Sequence, residues 1–81
     1  MSHVYIIKSE EGYIYVGSTM DLPHRLYQHQ HKLAGWTKRG KNWKLLYKEE
    51  FQYYPDARKR EKWFKSGVGR DFIRNHILSG S

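Results

Sequence analysis

The sequence predicts a small α/β (α+β) domain: a three-stranded, mainly antiparallel sheet flanked by helices, in the order β-β-α-β-α-α. Three observations carry that prediction. Two runs of β-branched and aromatic residues, HVYIIK (3–8) and YIYVG (13–17), are separated by a short polar turn. Two later stretches combine helical spacing of apolar or small residues with helix-start residues, and KLLYKEEF (44–51) stands between them as a third strand. The chain of 81 residues has room for one domain, 1–81, with no internal repeat or low-complexity tract.

The first connection is the most informative. A three-residue loop, Glu10-Glu11-Gly12, with Gly12 in the left-handed conformation, joins the first two strands most naturally. That loop sets Ser9 opposite Tyr13, Ile7 opposite Tyr15 and Tyr5 opposite Gly17. Because side chains alternate faces, Val4, Ile6, Ile14 and Val16 then share one face, and Tyr5, Ile7, Tyr13 and Tyr15 share the other. A change of one residue in the loop would separate Tyr5 from Tyr15.

A helix follows, capped by Thr19 or Asp21, with Pro23 in its first turn, Leu22, Leu26 and Leu33 at helical spacing, and Gly35 as its stop. Arg25 and His29, four apart, stack on one flank of it. A basic loop, WTKRGKNW (36–43), precedes the third strand. Asp56, after Pro55, is the expected cap of a second helix, ARKREKWFKSG, on which Ala57, Glu61 and Phe64 or Lys65 are neighbours. Gly67 and Gly69 are expected to break that helix, and DFIRNHIL to form a short last one.

Composition narrows the function. Fifteen Lys and Arg against eight Asp and Glu give a net charge of +7, which favours a polyanionic partner, with nucleic acid first. Without cysteine there is no disulfide and no thiolate metal site. No apolar run approaches the ~20 residues that span a bilayer, and MSHVYIIKSEEG lacks a signal peptide's apolar core, so no membrane association and a cytoplasmic location are expected. With 38% hydrophobic and 16% aromatic residues, a compact core built on Tyr, Trp and Phe is expected.

VYI (4–6), YVG (15–17), Arg25 on the next helix and Glu61 on a later one resemble, in order and spacing, the GIY-YIG nuclease superfamily. The likeness covers residues 3–75 and is strongest to its small stand-alone members. It implies hydrolysis of a DNA phosphodiester with one divalent metal, Mg²⁺ or Mn²⁺. It also implies roles for Tyr5 and Tyr15 from the two motif tyrosines, Gly17 from the second motif's glycine, Arg25 from the helix arginine, and Glu61 as metal ligand. His29 falls where relatives place a tyrosine or histidine. His3 replaces the glycine that opens the first motif, Ser18 stands where some relatives have a lysine, and Asn75 is the one candidate for a terminal asparagine.

The side chains suit that chemistry. A hard cation takes oxygen ligands, and magnesium often needs only one or two carboxylates, so Glu61 alone could anchor it. Arg25 offers a phosphate two parallel hydrogen bonds. Tyrosine, with an ordinary pKa near 10, needs help to act as a base, whereas histidine, near 6.5, does not. Tyr5, Tyr15 and His29 remain unranked for that role. Spacing of the other histidines gives no zinc site. In the basic loop, Thr37, Lys38, Arg39 and Lys41 are candidate substrate contacts, with Trp36 and Trp43 either stacking on bases or anchoring the loop. The leading expectation is a metal-dependent DNA endonuclease, monomeric or homodimeric, whose specificity comes from substrate shape or a protein partner. The rival is a catalytically inactive nucleic-acid-binding module on the same fold.

Overall fold

A computed structural model of the chain describes residues 1–31 and 39–78. Strands β1 (Ser2–Lys8), β2 (Ile14–Thr19) and β3 (Lys44–Phe51) form one sheet in the order β2-β1-β3, all pairs antiparallel. Helices α1 (Leu22–Gln30), α2 (Tyr54–Phe64) and α3 (Gly67–Phe72) follow in the expected sequence, and α3 runs into a π-helical segment, Ile73–Leu78. None of these helices is long and apolar enough to cross a membrane.

The hairpin sets the register. Gly12 adopts φ +99°, where a side chain would strain the backbone, and its N–H donates to the Ser9 carbonyl at 3.0 Å. Ser9 N–H donates to the Tyr13 carbonyl, and the buried Ser9 hydroxyl accepts from Tyr13 N–H. Tyr5 consequently pairs with Gly17, and Ile7 with Tyr15. Between β1 and β3 the register shifts at Ile6/Ile7, because Ile6 faces Tyr47 and Ile7 faces Leu45, which leaves Leu46 as an extra residue in β3.

Central strand β1 is buried on both faces. Val4, Ile6 and Val16 pack with Phe64 and Ile73 beneath α2, α3 and the π-helical segment. On the opposite face Tyr5 and Ile7 pack with Leu22 and Trp43, flanked by Tyr15 and Leu26. The tyrosine face is therefore a second core layer, and Trp43, 5% exposed, anchors it. Tyr13 departs from its face-mates and is exposed, because it sits beside the turn where no helix covers the sheet.

Helix α2 is pinned to β3 by a polar clasp. Arg60 donates to both Glu49 oxygens at 2.9 and 3.2 Å, Tyr47 donates to the same carboxylate at 2.6 Å, and the guanidinium lies 4.1 Å from the Trp63 ring centre. Bidentate pairing and stacking together fix the rotation of the helix about its axis, and with it the direction of the next residue, Glu61.

Several boundaries differ from expectation. Asp21 caps α1, accepting from His24 N–H at 3.2 Å, and α1 ends at Gln30; Leu33 and Gly35 lie outside the described residues. Helix α2 begins at Tyr54, with Tyr53 as N-cap and no side-chain capping bond, so Asp56 falls inside the first turn instead of capping it. Gly67 and Gly69 do not end helical structure. Ser66 caps a new helix by accepting from Gly69 N–H at 3.3 Å, and a Cβ on Gly69 would collide with the backbone of Trp63 and Phe64. Glycine there permits close packing of α3 on the end of α2.

Candidate active site

Alternation along β2 divides its residues between the two core layers. Tyr15 and Gly17 face α1, while Val16 and Ser18 face α2. Because β2 is an edge strand, groups from both faces meet along its rim, at a cleft of about 470 Å³ lined by Ser18, Asp21, His24, Arg25, Gln28 and Tyr54 among others.

On the α1 side, Leu22, Arg25 and His29 recur at helical spacing and point towards β1 and β2. His29 is 1% exposed and its Nε2 lies 2.7 Å from the Tyr5 hydroxyl, itself fully buried. The Tyr15 ring, half-buried, stands 5.0 Å from the His29 ring and 6.2 Å from that of Tyr5. Gly17 completes this packing: a Cβ there would lie 2.6 Å from the Tyr5 hydroxyl oxygen and 2.9 Å from Tyr15 Cε2.

Burial raises the Tyr5 pKa to about 12, although hydrogen bonding to Arg25 opposes the shift. Burial, aided by the positive charge of Arg25, lowers that of His29 from 6.5 to about 4. At neutral pH the pair is thus a phenol and a neutral imidazole. One hydrogen bond joins the Tyr5 hydroxyl and His29 Nε2.

Arg25 is the hinge of the cluster. Hydrogen bonding to the Tyr5 hydroxyl is the main reason its pKa is raised, with Tyr15 adding to the effect. Its Nη1 donates to Gln28 at 3.1 Å, and its Nε is buried with no hydrogen-bond partner among the described residues. A buried guanidinium N–H left unpaired is costly, and an anion in the cleft would satisfy it.

Glu61 approaches from α2. Its side chain is 14% exposed; Oε1 accepts from Ser18 at 2.5 Å, Oε2 from Lys65 at 2.6 Å, and Arg58 lies 3.9 Å away. Burial alone would raise its pKa, but the hydrogen bonds from Lys65 and Ser18 and the charges beside them prevail and hold it below the ordinary carboxylate value. Glu61 is therefore ionised, and its charge is felt at Tyr5 across the strand.

Tyr5, Tyr15, Gly17, Ser18, Arg25, His29 and Glu61 thus converge on one edge of the sheet. The other predicted contacts do not join them. Arg39 and Lys41 are exposed beside the hairpin tip, where Lys41 N–H donates to Glu11 and the Lys41 carbonyl accepts from Glu10. That tip is ~16 Å along β1 from Tyr5. Asn75 is exposed in the π-helical segment, away from the lining of the cleft. Thr37 and Lys38, with Trp36, lie outside the described residues.

Tyr54 and Gln28 went unmarked in the sequence, and Lys65 was marked only as a neighbour of Glu61. Tyr54, Arg58, Glu61 and Lys65 are spaced four, three and four apart, which places them on one face of α2 once the helix starts at Tyr54. A helix begun after Asp56 hides that pattern. The pKa of Tyr54 is lowered by hydrogen bonding to Arg58 and then to Ser18.

No curated protein sequence matches the chain. Among solved structures, a UPF0213 protein from Bacillus halodurans, determined by NMR in solution, superimposes with a TM-score of 0.54 and 26% sequence identity, covering 90% of this chain and 82% of that one. The family model described as the GIY-YIG catalytic domain matches residues 1–72, a span that holds Tyr5, Tyr15, Gly17, Arg25, His29 and Glu61. The chain belongs to the GIY-YIG catalytic domain family, a family of nuclease-type domains.

Proposed function

We propose that this protein is a metal-dependent endonuclease that hydrolyses phosphodiester bonds in DNA. The observation that carries the proposal is Arg25, which lines the cleft at the β2 rim together with Ser18, the hydrogen-bond partner of the ionised Glu61, on a strongly basic chain. Arg25 would bind the scissile phosphate and stabilise the charge that grows on it, commonly the largest single contribution to such catalysis.

The donor set fits a hard cation. Among the described residues there is no cluster of three metal-ligating side chains, but one ionised carboxylate with water completing the shell suits magnesium. The exposed Lys65 ammonium already holds a cation's place against Oε2 and, on its flexible stem, can leave it. Glu61 is the residue that would hold Mg²⁺ or Mn²⁺, and the ion would supply charge compensation at the phosphate and an acidified water.

Among the three candidate bases, burial favours Tyr15. Tyr5, with its pKa near 12, and His29, near 4, are both sealed from solvent and serve to fix Arg25 and Tyr15. Tyr15 is the member that reaches the surface. It is the side chain placed to hydrogen-bond the attacking water and orient it.

The test is cleavage of supercoiled, branched and single-stranded DNA with Mg²⁺, Mn²⁺ or EDTA. Wild type should cut only with metal, and Glu61→Gln and Arg25→Ala should each lose ~10²-fold or more in rate. Salt-sensitive binding without cleavage on any substrate, unaffected by Glu61→Gln, would instead establish a binding module.

A further inference from the structure

Beyond the cleft, a second groove of about 610 Å³ runs along the β2 rim between the strand and the helices that close the domain. Half-buried Ile14 and Tyr15 reach the surface in it, over the buried core residues Val16, Phe64 and Ile73, and two arginines, Arg70 and Arg74, stand exposed on its wall. Lys65 lines the groove and also touches Glu61, while Tyr15 belongs both to the groove and to the catalytic cluster. Cleft and groove are therefore neighbours along one edge strand.

We propose that this groove holds single-stranded nucleic acid next to the cleavage point, so that the preferred substrate carries an unpaired strand at or beside the scissile phosphate. The proposal rests on the nuclease reading of the neighbouring site and specifies its substrate class. Two kinds of complementarity support it. The arginines line the same groove as Lys65, which pairs with Glu61, so they offer positive charge to a strand continuing from that site. Among the described residues Arg74 makes an exposed pair with Asp71 at 3.4 Å, which competes weakly with a phosphate. The half-buried Tyr15 ring, with Ile14 beside it, suits the face of an unstacked base, which every base presents irrespective of sequence. Paired bases keep their faces stacked inside the helix and offer the ring nothing. The volume falls within the ~300–1,000 Å³ typical of sites for small organic groups.

The test compares binding of fluorescently labelled oligothymidylate, about a dozen nucleotides long, with a duplex of equal length. Wild type is compared with the double variant Arg70→Gln/Arg74→Gln, whose changes are on the surface and leave Tyr15, Arg25 and Glu61 in place. The variant should bind oligothymidylate ~10-fold more weakly, with its salt dependence reduced by about 1.4 in slope for two lost phosphate contacts. Affinity for the duplex should change less than ~2-fold, and amide shifts in wild type on adding oligothymidylate should concentrate at 14–16 and 70–74. Equal losses for single strand and duplex, or no loss for either, would overturn the groove assignment while leaving the nuclease reading intact. If wild type bound neither nucleic acid, the nuclease reading itself would fall and the groove assignment with it.

Discussion

Lowering the pH from about 7 to about 5 should destabilise the protein through His29 specifically. In the folded state His29 is 1% exposed and neutral, with a pKa of about 4, whereas in the unfolded chain it titrates at its ordinary 6.5. Between these two values the unfolded state binds more protons than the folded state, so stability rises with pH across the window and is lost on acidification. For one group with those two pKa values, the loss is about 2 kcal/mol at pH 5 and about 3 kcal/mol at pH 4, relative to pH 7. In a domain this small, 2 kcal/mol corresponds to a fall in Tm of roughly 8–16 °C. Carboxylates such as Glu49 and Glu61, whose pKa values are lowered, also lose stabilisation as they protonate, so wild type alone cannot isolate the histidine. The control is His29→Gln, which retains an acceptor for the Tyr5 hydroxyl and has no proton to gain. Thermal unfolding of both proteins, followed by circular dichroism across this range, should show wild type losing its advantage by about 2 kcal/mol at pH 5. Parallel profiles would refute the reasoning, because His29 would then titrate alike in the folded and unfolded chains.

Other outcomes follow from the same geometry. Gly17→Ala should cost about 1–3 kcal/mol in stability by overpacking, since the fully buried Tyr5 ring it would strike has no room to move. Surviving folded protein should lose ~10²-fold in cleavage rate from displaced tyrosines, and a variant with wild-type Tm and rate would show that the close approach is unimportant. Lys65→Met should tighten Mn²⁺ binding, read by calorimetry or electron paramagnetic resonance, by up to ~10-fold, because it removes the ammonium that competes for Glu61 Oε2. Weaker Mn²⁺ binding in that variant would mean that Lys65 assists the site instead of competing for it.

Local rules sufficed for the parts of this protein fixed by neighbours in sequence. The spacing of Glu10, Glu11 and Gly12 set the hairpin register, and that register alone placed Tyr5 opposite Gly17 and Tyr15 on the same face. Helical spacing put Arg25 beside His29, and the resemblance of VYI, YVG, Arg25 and Glu61 identified the family. The boundary of α2 was misplaced because its N-cap, Tyr53, makes no side-chain capping bond that would announce it, while Pro55 sits inside the first turn. Gly67 and Gly69 read as breakers because the demand for a small residue comes from Trp63 and Phe64 across a contact, which propensity does not express. The titration of Tyr5 and His29 was likewise beyond sequence, since a phenol and an imidazole are driven to about 12 and about 4 by burial that only the assembled layers create. Tertiary structure alone decided that Glu61, on one face of the sheet, hydrogen-bonds Ser18 on β2 and acts through its charge on Tyr5, on the other. The coupling arises because β2 lies at the edge and Gly17 carries no side chain there, so groups from the two faces that alternation keeps apart approach one another at its rim.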